Sequence, residues 1–110
     1  MARVLEKNEW EAYFDRVSGR LGAELVEIEV AGLDLGDQIE TEWVPLIGFT
    51  YDPKDDVFEV AVSGVDHVIR NPAEVVVEES VEGLHWVEIT DGEGHRHIVR
   101  LRAPLALPSP

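Results

Sequence analysis

Four histidines and twenty-three acidic residues are the side chains of this 110-residue sequence that could carry chemistry. His95 and His97 stand two residues apart, and on a β-strand that spacing directs both imidazoles to one face. Imidazoles and carboxylates are common ligands of Zn²⁺, and three such ligands with an open position suit hydrolysis. Together with His67 and His85, these residues make a histidine-based metal-binding protein or hydrolase one interpretation of the sequence.

A structural role is the simpler interpretation of the same histidines. His95 follows a glycine-rich loop, where solvent would surround it, and His97 can pair with Glu88 across a predicted hairpin. The His-x-His spacing alone predicts metal sites poorly, because it also arises in ordinary strands. The sequence therefore assigns no catalytic, cofactor-binding or metal-ligating residue, and histidine chemistry stays the alternative.

An acidic segment also invites a metal interpretation. Asp52, Asp55 and Asp56 offer the oxygen ligands that Ca²⁺ prefers, but their spacing is not that of an EF-hand. Asp52 followed by Pro53 is typical of a β-turn, since proline fits the second turn position and aspartate the first. We interpret the segment as a turn between two strands.

The amino-acid composition excludes several classes of function. The absence of cysteine excludes disulfides, thiolate metal sites and cysteine nucleophiles. A formal net charge of −14 opposes binding to nucleic acid and to anionic membranes, because both carry phosphate charge. Residues 95–110 contain Arg96, Arg100 and Arg102 and no acid, which predicts ion pairs with glutamates on neighbouring strands. No targeting or membrane-spanning segment is recognisable, so a cytoplasmic location is expected.

One helix is predicted, over residues 8–19. Trp10, Tyr13, Phe14 and Val17 recur at helical spacing and form one apolar stripe, which Leu21 extends. Asn8 is the predicted N-cap, and Glu11 follows it at capping-box distance. The stripe is expected to face the apolar side of a sheet.

The rest of the chain predicts six antiparallel strands joined by short connections. Alternating apolar and polar residues mark strands over 23–31, 38–51, 58–62 and 84–90. A β-branched run marks a strand over 75–79, and the segment from His95 completes the last hairpin. Pro45 and Gly48 are expected to bend the long second strand, and residues 63–73 are less regular. In the last hairpin we expect Thr90 opposite His95, Trp86 opposite Val99 and Leu84 opposite Leu101.

Four short motifs resemble those of a family of small uncharacterised bacterial and archaeal proteins, a domain of unknown function. They are the Trp-x-x-Tyr-Phe helix, the Gly-Asp-Gln strand entry (36–38), the Tyr-Asp-Pro-Lys-Asp-Asp turn (51–56) and the His-x-Ile-x-x-Pro segment (67–72). The resemblance spans nearly the whole chain. It implies no catalytic residue, cofactor or substrate.

The sequence thus predicts a single α+β domain over residues 1–104, with a proline-rich tail over 105–110 that is expected to fray. Its N-terminal helix packs on a strongly curved six-stranded sheet, for which a barrel-like form stays open. We expect a small acidic interaction or regulatory module without catalytic activity, whose partner is another protein or a second copy. A small-molecule binder with a pocket near Trp43 and Trp86 is a further alternative.

Overall fold

The computed structural model describes residues 1–107 and consists of one α-helix and an eight-stranded antiparallel sheet. The elements in chain order are β1 (Ala2–Val4), a 3-10 turn (Lys7–Glu9), α1 (Trp10–Gly19), β2 (Leu25–Gly32), β3 (Gly36–Asp52), β4 (Val57–Val62), β5 (Val65–Arg70), β6 (Pro72–Ser80), β7 (Gly83–Asp91) and β8 (Arg96–Leu105). The strand order is β1-β6-β7-β8-β2-β3-β4-β5. The predicted α+β class is confirmed, but the sheet has eight strands rather than six and does not close into a barrel.

Helix α1 forms where the apolar stripe predicted it. Trp10, Tyr13, Phe14 and Val17 are all buried, because helical spacing places them along one side of the helix. The N-terminal contact differs from the prediction: the Glu6 backbone N–H donates to the Glu9 carboxylate at 3.0 Å, at the start of the 3-10 turn. The chain therefore begins its helical path before Asn8.

The apolar stripe of α1 contacts β3 and β4 through aromatic rings. Phe14 has no exposed surface; its ring stacks on Phe49 at 4.4 Å between centroids and meets the edge of Phe58 at 5.1 Å. Ser18 fixes the helix to the same strand, since its hydroxyl donates to the Phe49 carbonyl at 2.8 Å and accepts from the Phe49 amide at 3.0 Å. The aromatic part of the core therefore lies between α1 and strands β3 and β4.

Strand β3 is bent and belongs to both halves of the sheet. Its first residues pair with β2 and its last seven, from Leu46, pair with β4. The β2–β3 register shifts near Trp43, whose φ of 50° lies in the left-handed region, and the β3–β4 register shifts between Leu46 and Gly48. These irregularities lie beside the predicted bend at Pro45 and Gly48, as expected for extra residues that interrupt a ladder.

The two strands absent from the prediction are β1 and β5, which occupy the two ends of the sheet. Strand β1 has only three residues and gives no periodicity to recognise. In β5, the exposed face carries both a charged residue, Asp66, and an apolar one, Val68. The strand therefore lacks the regular alternation of apolar and polar residues by which strands are recognised. The predicted irregular segment 63–73 thus contains a complete strand.

The predicted register of the last hairpin is wrong by one residue. Arg96, not His95, lies opposite Thr90, and Trp86 faces Arg100 rather than Val99. The reason is a three-residue loop: the Asp91 amide donates to the His95 carbonyl at 2.9 Å, and Gly94 takes a left-handed φ of 85°. One residue fewer in the loop moves every cross-strand pair by one position.

Strand β8 extends into the segment that was expected to fray. Leu105 is the last residue of the strand, faces Leu84 and is only 4% exposed. Residues 108–110 of the predicted tail lie outside the described residues. The packed part of the chain therefore reaches past residue 104.

Candidate functional site

Three of the four histidines lie together at one end of the sheet, where β5, the β2–β3 turn and the β7–β8 loop meet. They are His67, His95 and His97, and three carboxylates accompany them: Asp34, Asp91 and Glu93. We call these six residues the loop site. His85 lies elsewhere; its Nε2 is 2.7 Å from the Ser80 hydroxyl near the β6–β7 turn.

A continuous chain of hydrogen bonds joins His67, His97 and Asp91. The Nε2 atom of His97 is 2.9 Å from Asp91 Oδ2, and its Nδ1 atom is 3.0 Å from His67 Nε2. A carboxylate only accepts, so we assign the His97 proton to Nε2, which leaves Nδ1 to accept from His67. The predicted partner of His97 was Glu88; the one-residue change of register instead turns its ring toward the interior, where the residue is 8% exposed.

The β7–β8 loop holds Asp91 in place through its own backbone. Asp91 Oδ1 accepts hydrogen bonds from the Glu93 amide at 2.9 Å and from the His95 amide at 3.1 Å. Aspartate commonly stabilises turns in this way, by satisfying amides that the ladder leaves free. Because Oδ1 binds the loop, Oδ2 is the oxygen directed at the histidines.

His95 is fixed between two groups of carboxylates. Its Nε2 atom lies 2.9 Å from Asp34 Oδ1, whereas Nδ1 lies 3.8 Å from Asp91 Oδ2 and 3.9 Å from Glu93 Oε1. Gly32 gives the ring its position, since a Cβ at that residue would lie 2.5 Å from His95 Cδ2. With Nε2–H donating to Asp34, the Nδ1 lone pair faces two carboxylates.

The charges of the site alter its pKa values in both directions. Burial alone would raise the pKa of Asp91, but hydrogen bonds from His97 and from two backbone amides outweigh it and hold the pKa below its ordinary value. The hydrogen bond to Asp34 raises the pKa of His95, against a smaller opposing effect of desolvation. Burial, assisted by the neighbouring His97, lowers the pKa of His67.

Within residues 1–107, one group of three side chains has the spacing of a metal site. Asp91, Glu93 and His95 each offer a ligand atom, and these atoms lie within 4.8 Å of one another. Ligand atoms about 2.1 Å from a tetrahedral ion lie about 3.4 Å apart, and the distances from His95 Nδ1 to Asp91 and Glu93, 3.8 Å and 3.9 Å, exceed this by about half an ångström. The donor set fits a divalent ion of the first transition row, for which imidazole and carboxylate are both suitable.

A groove opens beside the metal-ligating group. Its volume is about 470 Å³, and it runs between the end of β5 and the β7–β8 loop. Arg70, Asn71, Asp91 and His97 are among the residues that line it. Asn71 has a φ of 53° and turns the chain from β5 into β6, which keeps the groove next to the loop site.

The aspartates predicted to form a turn at 52–56 do so. The Lys54 amide donates to Asp52 Oδ1 at 2.9 Å, and the Tyr51 hydroxyl donates to Asp56 Oδ1 at 2.6 Å. Asp56 has a left-handed φ of 53° and lies 3.6 Å from the Lys7 amine. Asp52 and Asp56 of this turn thus have structural partners.

The arginines of the last strand form the predicted ion pairs in two of three cases. Arg100 donates to Glu29 at 2.7 Å and to Glu27 at 3.2 Å, and Arg96 lies 3.7 Å from Glu88. The hydrogen bond from Arg100 lowers the pKa of Glu29 despite the burial of that carboxylate. Arg102 instead lies over the Trp43 ring, 5.9 Å from its centroid.

The predicted pocket near the two strand tryptophans is a shallow depression beside one of them. Trp86 lines a volume of about 230 Å³ on the outer face of the sheet, together with Glu88, Ile98 and Arg100. Trp43 is not among the lining residues and is 37% exposed at the bend of β3. The structure therefore gives this alternative less support than the loop site.

Comparison with known proteins identifies a family and a relative to which no function is assigned. A family model described as "Family of unknown function (DUF5335)" matches residues 1–110. An uncharacterised protein of Aquifex aeolicus (strain VF5) is 43% identical over 107 residues, which is 96% of each chain. No solved structure matches the chain. The family match confirms the resemblance noted from the sequence motifs.

Proposed function

We propose that this chain, which belongs to the DUF5335 family of unknown function, binds a divalent first-row transition-metal ion through Asp91, Glu93 and His95. The observation that carries the proposal is the orientation of His95. Its Nε2 atom is held by Asp34 at 2.9 Å, so Nδ1 faces the Asp91 and Glu93 carboxylates. A carboxylate on the far nitrogen of a metal-bound histidine fixes the tautomer and raises the basicity of the ligating nitrogen.

Electrostatics supports a cation at this position. Three carboxylates surround His95 in a chain whose formal net charge is −14, so they repel one another unless a positive charge lies between them. A proton on His95 supplies one such charge, in agreement with its raised pKa. A divalent ion supplies two charges and takes the place of that proton, so binding releases protons at low pH.

The chemistry that such an ion supplies depends on its free positions. Three protein ligands leave room for water, and metal-bound water is a nucleophile near neutral pH. His97 donates to Asp91 at 2.9 Å and thereby holds the ligating carboxylate in place. The groove of about 470 Å³ gives a small ligand access to the same end of the sheet. The geometry thus favours the histidine-based alternative over a module without metal.

Calorimetric titration of chelator-treated protein with Zn²⁺, Mn²⁺ and Ni²⁺ tests the proposal. We expect one ion per chain, and we expect Glu93→Gln to weaken the affinity at least tenfold. Glu93 is suitable because its side chain is 84% exposed and its loss leaves no buried gap. Glu82→Gln, at an exposed turn position, is the matched control and should bind as the wild type does.

A second pair of variants separates imidazole ligation from charge. His95→Gln should lose the ion, whereas His85→Gln should retain it, because His85 bonds Ser80 outside the loop site. Equal affinities in Glu93→Gln and Glu82→Gln, or no binding to the wild type, would refute the metal site.

The charge of the chain also bears on the partners that it binds. The net charge of −14 supports the expectation that the chain does not bind nucleic acid or anionic membranes. No helix within residues 1–107 is long and apolar enough to cross a membrane. A cytoplasmic location stays a prediction from the sequence.

A further inference from the structure

Strand β5 lies at one end of the sheet and pairs with β4 alone among the strands of residues 1–107. Its outward side chains are Asp66, Val68 and Arg70, all of which are exposed, and Val68 keeps 40% of its surface. Neither Asp66 nor Arg70 has an ion-pair partner within the described part of the chain. Unpaired strand edges of this kind are sites of pairing with another strand.

The backbone groups that point away from β4 can be identified from the ladder. The Asn71 amide donates to the Asp56 carbonyl at 3.1 Å, in register with the β4–β5 pairs that follow. Hydrogen-bonded and non-hydrogen-bonded pairs alternate along an antiparallel ladder, so Arg70, Val68 and Asp66 belong to the non-bonded pairs. Their N–H and C=O groups therefore point to the free edge.

The residues at this edge are complementary to themselves in one antiparallel register. When Val68 lies opposite Val68 of a second copy, Asp66 of each chain lies opposite Arg70 of the other. All three positions are those whose N–H and C=O groups are free, as the alternation of an antiparallel ladder requires. Residues directly opposite each other share a face, with Cβ atoms about 5 Å apart, so each aspartate reaches an arginine.

We propose that two copies of this chain associate through their β5 edges in that register, giving a continuous sixteen-stranded sheet. The edge borders one side of the groove of about 470 Å³, and the β7–β8 loop of the same chain lines the other side. In a chain of net charge −14, most faces of two copies repel each other, whereas this edge offers two opposite-charge pairs around an apolar contact. Self-association therefore has a preferred location on this molecule.

Sedimentation velocity over a concentration series tests the inference through exchanged charges. The wild type should form a dimer that dissociates on dilution. Asp66→Arg alone and Arg70→Asp alone should each be monomeric at concentrations where the wild type is dimeric, because every cross-strand pair then joins like charges. Both positions are exposed, so circular dichroism spectra and melting temperatures of the variants should match those of the wild type at a concentration where the wild type is dissociated.

Two further samples restore the pairing without restoring the native sequence. The double variant Asp66→Arg/Arg70→Asp should dimerise again, and an equimolar mixture of the two single variants should form a heterodimer, since opposite charges then meet at both pairs. A wild type that stays monomeric at every concentration would overturn the inference. So would single variants that dimerise as well as the wild type.

Discussion

The interior beside α1 and the loop site are built from opposite kinds of side chain. Around Phe14, three aromatic rings pack against one another with no exposed surface beyond 1%, and no charge lies among them. Around Asp91, by contrast, histidines and carboxylates are held by directional hydrogen bonds of 2.9–3.1 Å. Burial of apolar surface stabilises the first region, whereas the second depends on protonation and on ions.

This separation means that a substitution can change the free energy of unfolding without changing metal affinity, or the reverse. Removing a ring from the interior leaves a cavity, whose cost does not depend on pH or on metal. Removing a carboxylate from the loop site takes away a ligand, and it also relieves repulsion in an acidic chain. The two regions should therefore respond to different experimental variables.

Phe14→Ala should have the largest effect on stability. The ring is fully buried and contacts Phe49 and Phe58, so truncation should lower the free energy of unfolding by about 3–5 kcal/mol. Urea denaturation measures this change. Ile47→Ala, at a position that is 63% exposed, is the control and should cost much less. A comparable loss at both positions would show that the interior beside α1 is not the centre of stability.

His67 should make stability depend on pH in a way that the aromatic interior does not. Its pKa lies below the ordinary value of 6.5 in the folded protein, because the ring is buried beside His97. The unfolded chain therefore takes up the proton first on acidification. This contribution to the free energy of unfolding falls as pH drops from 6.5 to the folded pKa and is constant below it. In chelator, denaturation of His67→Gln should show a smaller dependence over that window than the wild type, while an unchanged dependence would contradict the assignment.

Asp34→Asn should have the smallest effect on folding and a clear one on the metal. Asp34 is 68% exposed, so the change should alter the free energy of unfolding by less than about 0.5 kcal/mol. Loss of the carboxylate that orients His95 should weaken metal affinity about 10- to 100-fold. Calorimetry and urea denaturation on the same samples separate the two quantities. A variant that loses stability but keeps its metal affinity would show that Asp34 stabilises the fold and does not orient a metal ligand.

The sequence predicted the helix and its buried face well because that information is local. Trp10, Tyr13, Phe14 and Val17 recur at a spacing that has one structural meaning, and all four are buried as expected. The long bent strand was also predictable, since alternation continues on both sides of Pro45. In both cases a few neighbouring residues decide the conformation.

The edge strands and the loop site depend on distant residues. Strand β5 has Val65 and Val68 exposed at an end of the sheet, so its pattern lacks the contrast of a half-buried strand. His67 and His97 are thirty residues apart and meet only because β5 ends opposite the β7–β8 loop. No spacing along the chain shows such a contact in advance.

The conformation of the β7–β8 loop could have been predicted from the sequence. Asp91-Gly92-Glu93-Gly94 has aspartate at the start of a turn and glycine at the left-handed position, which is typical of a three-residue hairpin loop. Recognising that loop would have placed His97 opposite Ile89 and removed the expected pair with Glu88. The error in register and the missed position of His97 thus have the same cause.

The division of β3 between two neighbours bears on how the molecule opens. Residues 36–45 contact mainly β2 and are largely solvent-exposed, whereas Leu46, Phe49 and Tyr51 are buried beneath α1. Local opening is least costly where few apolar contacts are lost, so the outer half of the strand can detach without the inner half. A single continuous strand would then hold amides with very different lifetimes against exchange with deuterated water.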